Sequence, residues 1–179
     1  MNNVIKKINN KGVTLVELLV TVVLLILVTG MITLAVDFGA RSFNKSNREA
    51  EGQILCAALV TAVKDELRYA TNIEVDDLNT LKFFSTNLSL KDCSFLITDK
   101  DGNSAENGGF ITLSTSQGKY DLVPKKTYVY DLKAKFTEFE WDSDQPNPNF
   151  HIGIQVITQD EDEQIIISEE EFVVEPLNR

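Results

Sequence analysis

The sequence is poor in the residues that build metal and disulfide sites. It holds two cysteines and one histidine in 179 residues. A Cys/His zinc site needs more ligands than that, and a disulfide framework needs more cysteines. Basic side chains are also in short supply. Seventeen Lys and Arg stand against 27 Asp and Glu, for a net charge of -10. That balance argues against a nucleic-acid clamp, which presents a basic face to phosphates. There is no Gly-rich phosphate loop, no nucleophile elbow, no basic aromatic platform for single strands and no internal repeat. Apolar residues at 43% and charged residues at 25% are ordinary for a folded domain, which excludes a disordered or collagen-like chain. The length suits one domain with a real core and is short for two.

These averages conceal an uneven distribution. Residues 1–12 carry Lys6, Lys7 and Lys11 and no acid. Residues 13–36 then read VTLVELLVTVVLLILVTGMITLAV, with no charge from Leu18 to Val36. A helix over that stretch would cover roughly 28 Å, about the hydrocarbon thickness of a bilayer. A cleaved secretory signal has a shorter apolar run followed by a small-x-small site, and Phe38-Gly39-Ala40 is a poor version of one. Lysines flank one end of the run, and Arg41, Lys45 and Arg48 flank the other. The count of positive charges is therefore balanced, and the short N-terminus is the easier end to keep in the cytoplasm. Glu17 lies inside the apolar segment. A carboxylate there is costly unless it sits at the interface or gains a cation from another chain.

The string Lys11-Gly12-Val13-Thr14-Leu15-Val16-Glu17 resembles the processing site of type IV prepilins and type II secretion pseudopilins. The resemblance implies cleavage between Gly12 and Val13 by a prepilin peptidase, followed by N-methylation of Val13. It also implies that Glu17, fifth in the mature chain, is the assembly carboxylate. The new α-amino group is cationic at neutral pH and is a natural partner for Glu17 of a neighbouring subunit. Such a pair can set axial register, as a buried polar residue does in a coiled coil.

Beyond Val36 no proline interrupts the chain until Pro124. Leu55, Leu59, Ala62, Val63, Leu67 and Ala70 recur at three- and four-residue spacing, which is one apolar helix face. The helix is expected to continue to Asn72, with residues 54–70 packed on a sheet and the polar residues 37–53 as a neck or subunit contact. Thr71-Asn72, then Ile73 and Val75, mark the exit into extended structure. After Asn79 the period changes to two. Candidate strands are 81–84, 93–98, 110–114, 128–130, 136–141, 151–158, 164–167 and 172–175. Turn signals at 101–103, 108–109, 117–118 and 160–163 separate them. The fold class is α+β, a long N-terminal helix packed on an antiparallel sheet domain, as in pilins. The segments are a leader at 1–12, a membrane or filament-core helix at 13–36, its amphipathic continuation at 37–72 and a β-rich domain at 73–179.

Chemistry-bearing residues are few. His151 alternates with Ile152 and Ile154, as a structural strand histidine does. Asp99, Asp101 and Asn103 have a calcium-like spacing, but Gly102 falls one position early for an EF-hand and no Glu occupies position twelve, which favours a hairpin turn. Cys56 and Cys93 are either a disulfide, which an extracellular domain permits, or two core thiols. Asp160 to Glu163 and Glu169 to Glu171 form an acidic hairpin and edge strand that blocks edge pairing.

The missing proline in the span, the long strand-rich domain and a tail similar to that of the larger minor pilins and minor pseudopilins favour a minor subunit over the main fibre subunit, read here as a minor pilin of a type IV pilus. The alternatives are a pseudopilin of a type II secretion or competence DNA-uptake apparatus and, in another class, an uncleaved signal-anchored surface protein with a binding or hydrolytic domain. The resemblance implies no enzyme activity and no cofactor. Its implied partners are other pilin or pseudopilin subunits, the prepilin peptidase, the pilus assembly platform and, before assembly, membrane lipid. Direct nucleic-acid binding is not expected, because the chain from Asp37 onward carries 14 basic against 26 acidic side chains. The implied location is a single pass through the cytoplasmic membrane with the C-terminal domain outside, then the cell surface or pilus.

Overall fold

The computed structural model describes residues 13–75, 81–143, 147–160 and 163–177. The leader at 1–12, with Lys11 and Gly12, lies outside the described residues. So do the middle of the 143–149 loop and the tip of the 160–163 turn. The chain divides into two units, residues 1–45 and 46–179. One helix, α1 (Leu15–Arg68), contributes to both.

In the first unit α1 is exposed on every side. In the second it is amphipathic. Gly52, Leu55, Cys56, Leu59, Val60, Val63, Glu66 and Leu67 are its buried residues, at three- and four-residue steps that place them on one face. Eight antiparallel strands follow among the described residues. β1 (Ala70–Val75), β2 (Leu81–Ser85), β3 (Leu90–Thr98), β4 (Phe110–Thr115) and β5 (Gly118–Asp121) form a five-stranded meander in chain order. β6 (Lys133–Asp142), β7 (Asn149–Asp160) and β8 (Glu163–Val174) form a second meander. A bridge between Gly109 and Ala134 stitches the sheets together, with N–H···O bonds of 2.9 and 2.8 Å in the two directions. The core joins Leu55, Leu59, Val63 and Leu67 of the helix to Phe83, Ile111 and Leu113 of one sheet and Ile152, Ile154 and Val156 of the other. The α+β architecture of helix and antiparallel sheets is thus the one expected.

Several details differ from expectation, each for a local reason. The helix stops at Arg68 rather than Asn72. Its last carbonyls find partners elsewhere: Arg68 O accepts from Leu177 N at 2.8 Å, and Tyr69 O accepts from Thr86 Oγ1 at 2.6 Å. Residues 128–130 alternate like a strand but form a strap. Lys125–Thr127 make a 3-10 turn, and Tyr130 and Asp131 follow at φ 54 and 53 in a turn closed by Leu132 N to Val129 O at 3.0 Å. β5 is exposed throughout, so no apolar alternation announced it. The two expected strands at 164–167 and 172–175 are one, β8, whose central Glu169, Glu170 and Glu171 are exposed and break the apolar pattern.

Gly52 explains how closely helix and sheet approach. A Cβ there would collide with the Ile167 side chain of β8. Gly153 on β7 plays the same part for Thr137, whose hydroxyl occupies the space a side chain would need.

Candidate functional site: the N-terminal helix

The site is a surface, and the residues that make it are apolar. From Leu18 to Val36 the helix presents Leu, Val, Ile and Met outward in every direction, with Leu34 72% and Val20 49% exposed. An ordinary water-facing helix carries charge on its outer side, and a helix apolar all round belongs in lipid or among other helices. This helix is long and apolar enough to cross a membrane.

The polar groups of this segment are satisfied without leaving it. Thr21 Oγ1 donates to Leu18 O at 2.8 Å, Thr29 Oγ1 to Leu25 O at 2.8 Å, and Thr33 Oγ1 to Thr29 O at 3.0 Å. Backbone groups are bonded within the helix. A medium that offers no hydrogen bonds requires this.

The start of the helix uses the fourth threonine. Thr14 Oγ1 accepts from Glu17 N at 3.3 Å and donates to the Glu17 carboxylate at 3.4 Å. Thr14 O also accepts from Leu18 N at 3.1 Å. Thr14 is therefore an N-cap, and Glu17 is the acid of the first turn, where the helix dipole favours negative charge. Neither the interface nor a cation from another chain, the two settings weighed for Glu17 from its place in the sequence, includes this local bond to Thr14. The Thr-x-x-Glu spacing of a capping box was present as a signal. Past the span, Asp37 and Arg41 form an exposed i,i+4 ion pair at 3.0 Å, which closes the uncharged run at its other end.

The remaining candidate residues lie in the second unit. Cys56 and Cys93 are both buried free thiols. They have different neighbours. Cys56 faces Ser168 of β8, whereas Cys93 donates to Leu90 O at 3.4 Å within its own strand region. Burial pushes both thiols up. Asp99, Asp101 and Asn103 come together in the β3–β4 loop, but Asp99 turns its oxygens onto the loop itself. Its Oδ1 accepts from Asp101 N at 2.9 Å and Asn103 N at 2.8 Å, and its Oδ2 from Asn103 Nδ2 at 3.2 Å. The Asn103 backbone amide is the main cause holding the Asp99 carboxyl below the usual carboxylate range. Among the described residues no group of three or more His, Cys, Asp and Glu is placed to hold a metal ion. His151 lies in β7 between Glu140 of β6 and Val173 of β8. Glu170 forms a 3.8 Å ion pair with Lys64, and Glu169 accepts from Gln155 Nε2 at 3.2 Å.

The class this defines is a membrane-anchored chain, with one helix among the described residues that carries a bilayer-length apolar run, and antiparallel sheets after it. Residues 7–33 match the family model of the prokaryotic N-terminal methylation motif, the signature of type IV prepilins and pseudopilins. The match spans the Lys11–Glu17 string and most of the apolar run. No curated protein and no solved structure matches the chain.

Proposed function

We propose that the chain is a minor pilin, a non-catalytic subunit of a type IV pilus. In this reading the basic leader holds the N-terminus in the cytoplasm and the sheet domain faces outward. A prepilin peptidase cuts between Gly12 and Val13, and the amine of Val13 is methylated. The helix then leaves lipid and joins like helices of other subunits at the assembly platform. There Glu17 of one subunit meets the Val13 amine of another.

The observation that carries this is the helix surface from Val13 to Val36, exposed and apolar on all sides with each threonine hydroxyl bonded inside its own chain. A segment built so can pass from lipid to a protein bundle without breaking any of those hydrogen bonds. The methylation motif over the same residues supports the reading.

Intact-mass and N-terminal analysis of the membrane-extracted protein tests it. A methylated chain beginning at Val13 is expected. An intact Met1 in cells that have a prepilin peptidase would overturn the proposal in favour of an uncleaved anchor. Deletion separates the pilus from its relatives: loss of piliation or motility fits a pilin, while loss of secretion or transformation alone points to a pseudopilin or competence subunit.

A further inference from the structure

The turn between β3 and β4 holds the chain's single Asn-Gly pair, Asn107-Gly108. We propose that Asn107 is a site of spontaneous covalent modification, converting to aspartate and isoaspartate in the folded protein. This rests on the turn alone and is independent of the function proposed above.

The asparagines of the sheet domain differ in how they are held. Asn103 is tied down, its Nδ2 donating to Asp99 and its carbonyl accepting from Asp99 N at 2.8 Å. Asn87 Nδ2 donates to Asp65 O and to the Glu66 carboxylate, both at 3.3 Å. Asn107 is exposed, and no hydrogen bond from its side-chain amide is found among the described residues. Its backbone carbonyl is held by Gln164 Nε2 at 3.3 Å, which leaves the side chain as the free part. The next residue has no Cβ and adopts φ +91, a conformation that suits glycine. Its peptide nitrogen has no bonded partner among the described residues, unlike that of Gly109.

The nitrogen of Gly108 attacks Cγ of Asn107 and gives up its proton. The Cγ–Nδ2 bond breaks and ammonia leaves, closing a five-membered imide. Water then opens the ring at either carbonyl, giving aspartate or isoaspartate. Both products add a negative charge beside Glu106, on a groove that Asp99, Asp101 and Asp131 also line. Isoaspartate further inserts a carbon into the main chain two residues before Gly109, which makes the bridge to Ala134 between the two sheets. Modification therefore loosens that seam.

The test incubates the full-length protein in detergent micelles at mildly alkaline pH, then maps peptides and labels isoaspartate with isoaspartyl methyltransferase. Expected are aspartate and isoaspartate at position 107 while Asn87 and Asn103 remain amides, at a rate close to that of the urea-unfolded chain. Asn107→Gln should abolish the labelling and leave the circular dichroism unchanged. The aged protein should be cut faster at this turn by limited proteolysis than Asn107→Asp, which adds the charge without lengthening the chain. Survival of Asn107 as long as Asn103, or folded-state conversion slower than unfolded by an order of magnitude, would overturn the proposal. Equal proteolysis of the aged and Asn107→Asp proteins would overturn the effect on the seam.

Discussion

One helix serves two units, and its halves solve opposite problems. The half before Ser46 holds a stretch from Leu18 to Val36 with apolar side chains on all sides, and its threonines meet their hydrogen-bonding needs within a turn or so of chain. The half after it confines its buried residues to one face, and its surroundings rely on distant partners. Asn87 reaches Glu66, Ile111 N donates to Tyr128 Oη, and Thr158 Oγ1 donates to Tyr130 O. Local satisfaction makes a segment portable, because changing its environment breaks no polar contact. Non-local satisfaction makes a segment specific to one fold. A subunit that moves from lipid to filament needs the first property in its anchor and the second in its outer domain.

Truncating a leucine in each half gives the largest contrast. Leu59 is 0% exposed in the core, so Leu59→Ala should destabilise the second unit by about 2–5 kcal/mol. Leu24, 55% exposed on the anchor, has no core to leave, and Leu24→Ala should not change unfolding of that unit. Urea denaturation followed by Trp141 fluorescence in micelles measures both. Equal effects would erase the distinction between the halves.

Glycines sharpen the contrast at a smaller scale. Gly52→Ala drives a methyl into Ile167 and should cost about 1–3 kcal/mol, as overpacking does. Gly39→Ala meets nothing within 4 Å and should stabilise its helix by at most about 1 kcal/mol. The same denaturation assay reads the first. Hydrogen exchange of amides around residue 39 reads the second.

How far the sequence reveals this arrangement follows from the same division. The apolar run and the motif at 11–17 are dense local signals, and the anchor was legible from them almost entirely. The core face of the second half was legible too, because Leu55, Leu59, Val63 and Leu67 repeat with the helix period. Features that depend on distant partners were not. Tyr128 sits in an alternating Tyr-Val-Tyr stretch, yet its ring packs edge-on against Phe110 at 4.7 Å and its oxygen caps Ile111, which makes an anchored strap. Nothing local to Gly52 signals its role, and only its approach to Ile167 shows why a glycine stands there. The Thr14 cap is a local feature too, carried by the Thr-x-x-Glu spacing of residues 14–17.

That cap supplies a further test within the anchor. Thr14→Val removes the acceptor for Glu17 N and should cost the first turn about 1 kcal/mol. Faster exchange of the Val16 and Glu17 amides in micelles is the expected outcome, with the second unit's unfolding midpoint unchanged. An altered midpoint would mean the two halves are coupled.

The smallest effect concerns the strap and shows only at high pH. Burial pushes Tyr128 up to about 12, while the Ile111 amide it caps pulls the other way. In the unfolded chain a tyrosine ionises near 10, so folding favours the protonated phenol. The sign follows from linkage. This stabilisation is fully present below about pH 10 and disappears as the pH rises through about 12. Phenolate absorbance of the folded protein should therefore show one late tyrosine, and Tyr128→Phe should remove it. The same substitution strips the acceptor from Ile111 N, so the stability of this variant should also fall at neutral pH. If the late titration survived in Tyr128→Phe, the strap's buried phenol would not be its source. The non-local half of the contrast would then lose one of its three supports.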